Sequence, residues 1–83
     1  LNELINLQEY IENKNVTVKL EYRLNYDAEK ICGYIAVYEG DPSDKEDPFE
    51  IYKEILDCNL KENDVRKMFE RLIKEIDDGS IEV

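Results

Sequence analysis

The sequence predicts a small α+β domain with an N-terminal helix, an antiparallel β-hairpin and two C-terminal helices packed on one face of the sheet. A third short strand is expected only if the C-terminal tail supplies it. Three observations carry this expectation. Val16, Val18, Leu20, Tyr22, Leu24 and Tyr26 alternate with the polar residues Thr17, Lys19, Glu21, Arg23 and Asn25, a period of two that marks a strand with one buried face. A second run, residues 31–38, is apolar on both faces and reads as a more central strand. The segments before and after carry apolar residues at intervals of three and four, the period of an amphipathic helix.

Taken in order, Leu1, Leu4, Leu7 and Ile11, with Ile5 beside them, predict a helix over residues 1–12, stopped by Asn13 and Asn15. The strand from Val16 begins after almost no linker. If Ala28 and Glu29 form a two-residue turn, Leu24 faces Gly33, Tyr22 faces Ile35 and Leu20 faces Val37, which gathers the apolar residues on one side. A longer loop is the alternative, because Ala-Glu is not a favoured turn pair. The opposite face then carries Lys19, Glu21, Arg23, Tyr34, Ala36 and Tyr38, with the tyrosines placed for cation–π contacts or for a partner.

Gly40, Pro42 and Pro48 mark an acidic loop over residues 39–47. Asp47-Pro48-Phe49-Glu50 resembles a helix start, with Asp47 as N-cap and Pro48 in the first turn. That helix is expected to run to about residue 59, with Phe49, Ile51, Tyr52, Ile55 and Leu56 as its apolar face. Leu60 and Val65 have the spacing of a hydrophobic staple around a second start near Lys61. Val65, Met68, Phe69, Leu72, Ile73 and Ile76 form the stripe of the last helix, and Gly79 is its expected left-handed stop. Residues 80–83 read as an edge strand or a tail.

Composition narrows the function. The 83 residues make one domain with a small core. Twenty-one acidic residues against eleven basic ones, with no histidine, leave a net charge of −10. Such a chain does not suit direct binding to nucleic acid or to anionic membrane. No apolar run reaches the ~20 residues of a membrane span, and a cytoplasmic setting is expected. Without histidine there is no Ser-His or Cys-His nucleophile pair, and the three glycines lack a phosphate-loop spacing. The chain is therefore expected to be no enzyme and to take no cofactor. Cys32 and Cys58 are too few for a zinc site and read first as reduced thiols, with a disulfide as the alternative. A calcium loop starting at Asp41 would place Lys45 in a ligand slot and Glu46 where glycine is needed, so no metal is expected.

Charge is unevenly distributed. Residues 39–57 hold eight acids and two lysines, a net of −6. In the helical reading Asp47, Glu50, Glu54 and Asp57 line one face, about 5–6 Å apart, which is comparable with the spacing of phosphates along a nucleic-acid strand. The expected partner surface is therefore Asp41, Asp44, Glu46, Asp47, Glu50, Glu54 and Asp57, with Tyr34 and Tyr38 as a second contact area. The alternative is an ordinary solvated face favoured by the helix dipole.

The stretch Tyr10-Ile-Glu-Asn-Lys-Asn-Val-Thr-Val-Lys-Leu20 resembles the first helix-to-strand junction of small acidic phage anti-CRISPR proteins that inhibit type II-A Cas9. Size, acidity and the expected element order are also similar. The resemblance covers eleven residues, departs from the family in showing two strands where three belong, and transfers no binding residue. It implies an inhibitor that blocks a basic, nucleic-acid-binding cleft by phosphate mimicry. Two other roles stay open: an antitoxin or immunity protein against a basic nuclease, and a structural or oligomerisation module of a larger protein that forms a homodimer.

Overall fold

The computed structural model describes residues 3–24, 31–41 and 48–83. Among the described residues there are four strands and one helix: β1 (Glu3–Ile11), β2 (Val16–Leu24), β3 (Ile31–Glu39), β4 (Glu50–Asp57) and α1 (Glu62–Asp77). The strands form one antiparallel sheet in the order β1-β2-β3-β4. Helix α1 lies across one face, over β1 and β2, and makes a two-layer molecule whose shortest dimension is 17 Å.

Two expected helices are strands. Residues 1–12 are expected to be helical, yet Glu3–Ile11 pairs with β2 along its whole length, from Glu3 opposite Leu24 to Ile11 opposite Val16. The pattern Ile5, Leu7, Ile11 fits a period of two as well as one of three to four. A four-residue turn joins it directly to a strongly patterned strand. That turn is closed by the Lys14 and Asn15 amides, which donate to the Ile11 and Glu12 carbonyls at 3.2 Å each, and Asn15 takes a positive φ of 54°. Leu4 is left 59% exposed by the change of period.

Residues 48–59, also expected to be helical, supply β4. Strand β3 is apolar on both faces and has β2 on one side only; the backbone groups along its other edge need a partner, and β4 provides it. Ile51, Tyr52 and Ile55 suit a strand as well as a helix. The expected Asp47 cap and the Ala28-Glu29 turn lie outside the described residues. There is accordingly one C-terminal helix and not two, and residues 80–83 do not form a strand.

The β2–β3 register differs from the two-residue-turn expectation by two positions. Tyr22 faces Gly33, Leu20 faces Ile35 and Val18 faces Val37. A shift of two preserves side-chain parity, so the same residues point to the core. Ile5, Ile11, Val16, Val18, Leu20, Tyr22, Ile35, Val37 and Leu56 meet Val65, Phe69 and Ile76 from α1. The helix begins and ends where its stripe and stop residues indicate: the Lys61 amide donates to Asp64 Oδ2 at 3.4 Å, and Gly79 has φ 85°.

Two buried polar groups tie distant elements together. The Tyr22 hydroxyl donates to the Asp57 carbonyl at 2.7 Å and accepts from the Leu60 amide at 3.1 Å, which fixes the crossing from β4 to α1. Thr17 Oγ1 donates to the Gly40 carbonyl at 2.7 Å. The reduced thiols expected first are instead a Cys32–Cys58 disulfide, with the Cα atoms 4.9 Å apart. Cys32 sits where the β3–β4 register slips between Ile31 and Gly33.

Candidate binding surface

Alternation sends every second strand residue to the face away from α1. Pairing places Tyr10, Thr17, Tyr38 and Glu50 in one row across the sheet. Gln8, Lys19, Ala36 and Lys53 form the next row, and Asn6, Glu21, Tyr34 and Ile55 the third. Helix α1 packs on the other face; within these rows Thr17 and Ala36 are nonetheless fully buried, and the larger side chains around them are exposed or half-buried. Lys19, Glu21, Arg23, Tyr34, Ala36 and Tyr38 therefore share one face, as the alternation predicts.

The centre of that face is polar but ordered. Lys53 Nζ lies 4.7 Å from the centre of the Tyr34 ring, and Lys19 pairs with Glu21 at 3.5 Å. Partial burial, followed by the nearby Glu21 carboxylate, raises the Tyr34 pKa above its ordinary value of 10.0. Burial and the neighbouring Tyr34 and Glu50 do the same for Tyr38. Beside this cluster is an open depression of about 410 Å³ bordered by Glu21, Arg23, Tyr34, Lys53 and Ile55. Its shallowness suits contact with another macromolecule better than enclosure of a small ligand.

Among the described residues Glu50, Glu54 and Asp57 do not form the expected helical row. In β4, Glu50 pairs with Tyr38 on the open face, whereas Glu54 pairs with Ile35 on the helix side. Asp57, one residue beyond the inward-facing Leu56, returns to the open side. A strand turns successive side chains to opposite faces, so residues that a helix would align are separated. Asp41 is half-buried at the end of β3. Asp44, Glu46 and Asp47 lie outside the described residues. Of the expected contact residues, the structure brings together Tyr34, Tyr38 and Glu50.

The sequence reading missed the edge itself. Among the described residues β4 has a sheet neighbour on one side only, and Leu56 is its one buried side chain. Phe49, Ile51, Tyr52 and Ile55 are 67, 39, 45 and 49% exposed. Assigned to a helix, these residues form a core-facing stripe, so their exposure had no signal in the sequence. On the helix side of this edge, the Tyr52 hydroxyl donates to Glu54 Oε1 at 3.0 Å, and that bond raises the Tyr52 pKa. The opposite edge is different: of β1, Leu4 and Tyr10 are the large exposed apolar side chains, among Glu3, Asn6, Gln8 and Glu9.

No helix among the described residues is long and apolar enough to cross a membrane. Comparisons with protein-family models, with curated proteins and with solved structures find no match.

Proposed function

We propose that this chain is a non-enzymatic binding domain for a basic protein, and that its working surface is β4 with the adjoining open sheet face. The observation that carries the reading is the combination on one strand of three exposed large apolar residues, Ile51, Tyr52 and Ile55, with Phe49 just before it, and of Glu50, Glu54 and Asp57 against a single Lys53. Apolar side chains supply contact area, while carboxylates attract a cationic surface and set its orientation.

Inhibition of a nucleic-acid-binding enzyme, as the anti-CRISPR resemblance implies, is the narrower form of this reading. Its support is the net charge of −10 and no longer a helical row of acids. The disulfide bears on the setting, because structural disulfides persist in oxidising compartments and are rare in reducing ones. It favours a site of action outside a reducing cytoplasm, and so weighs against an inhibitor acting on Cas9 inside a cell. An oligomerisation module is the second reading, favoured by the bare β4 edge.

The test is affinity capture of basic proteins at low and high salt, with the wild type beside a Glu50→Gln/Glu54→Gln/Asp57→Asn triple variant. A partner retained by the wild type, lost at high salt and lost by the variant is the expected result. Equal capture by both proteins would remove the assignment of the surface. A Cas9 cleavage assay separates the narrower reading: undiminished cleavage at saturating protein rejects it and leaves the broader one standing.

A further inference from the structure

We infer that β4 binds its partner by strand addition, taking an extended cationic segment as a fifth strand of the sheet; this rests on the binding-domain reading above. The eight residues of β4 span about 26 Å at ~3.3 Å per residue. The backbone groups on the side away from β3 have no sheet neighbour among the described residues. Such an edge is a template for pairing, and proteins usually blunt it with charges, prolines or bulges. The bulge in β4 falls at its beginning, where Ile51 has no counterpart between Tyr38 and Val37. From Tyr52 to Leu56 the pairing is regular, and over that stretch the edge is flat enough to be extended.

The side chains specify the occupant. Glu50 and Asp57 stand on the open face and Glu54 on the helix side, so carboxylates flank an added strand above and below. Ile55 and Tyr52 do the same with apolar surface, one on each face. A segment that carries lysine or arginine on both of its faces, interspersed with β-branched residues, complements both features at cross-strand distance. A second copy of the chain does not, because it brings the same carboxylates and its own net charge of −10. The β1 edge presents less of it: its exposed side chains are two acids, Glu3 and Glu9, the amides Asn6 and Gln8, and two large apolar residues, Leu4 and Tyr10.

The experiment uses the intact, oxidised chain and a synthetic capped peptide of about eight residues, the length of β4, in which adjacent pairs of lysines, one for each face, are separated by valine and threonine. Two further peptides carry N-methyl groups on alternate amides, one set for each edge of the peptide strand, and a fourth replaces lysine by glutamate. The lysine peptide is expected to bind, to protect β4 amides from hydrogen exchange, and to lose at least tenfold in affinity to Glu54→Lys. One N-methylated peptide should match the parent and the other lose at least tenfold, since only one edge of the peptide faces β4. Equal binding of both N-methylated peptides, or protection located elsewhere, overturns strand addition while the binding-domain reading survives. Failure of every cationic peptide to bind overturns both. A homodimer joined through β4 in sedimentation and exchange measurements overturns the choice of a cationic partner.

Discussion

Gly33 stands opposite Tyr22, next to the register slip at Cys32. A Cβ there would collide with the Glu21 carbonyl oxygen and lie 2.7 Å from the Tyr22 Cα. Both are backbone atoms, so no side chain can swing aside. Gly33→Ala is expected to destabilise the domain by about 1–3 kcal/mol, measured by urea unfolding; an unchanged midpoint would refute the close approach. Further along β3, the open-face tyrosines Tyr34 and Tyr38 carry a pH signature. Tyr34 and Tyr38 titrate above 10.0 in the folded protein, chiefly through burial. A raised folded pKa favours the protonated phenol, so its contribution to stability is complete below about pH 10 and is lost as pH rises through the folded values. Absorbance of tyrosinate should therefore appear later in the folded chain than in urea. The tyrosine cluster was legible at this scale, because strict alternation decides which side chains share a face whatever the register.

Strand β4 is the element with the least support from the core. One buried leucine, the ladder to β3, the Tyr22 hydroxyl on the Asp57 carbonyl and the disulfide from Cys32 to Cys58 hold it in place. The two cysteines are separated by 26 residues, and a link of that span contributes roughly 2–4 kcal/mol, chiefly by restricting the unfolded chain. A Cys32→Ser/Cys58→Ser variant should lose stability of that order. Its β4 amides should also exchange faster than those of β2, whose side chains lie largely in the core. Uniform acceleration of both strands would show that β4 has no separate opening. Helix α1 was readable from sequence because its stripe runs over three turns and both ends are marked. Residues 3–11 and 50–57 were not, because each is short enough to satisfy either period. The ladders offered by β2 and β3 decided them, through backbone hydrogen bonds that composition does not record.

The whole molecule carries ten more negative charges than positive ones around a core of one sheet face and one helix. Self-repulsion at this charge opposes the compact state, and it is screened as the Debye length falls from about 30 Å at 0.01 M salt to about 10 Å at 0.1 M. A gain of about 0.5–1 kcal/mol over that range would raise Tm by roughly 2–8 °C in a domain of this size. A flat Tm across the series would mean that the charges are already compensated locally, as Arg66 is by Glu62 at 3.0 Å. Net charge, the β2–β3 pair with its two faces and the terminal helix followed from the sequence alone, because each depends on composition or on a pattern long enough to have one period. Tertiary structure alone decided the fates of the two ambiguous segments, the joining of Cys32 to Cys58 and the scattering of the expected row of acids. Those outcomes depend on which backbone edge lies within hydrogen-bonding reach, and a neighbour in space is not written in the order of residues along the chain.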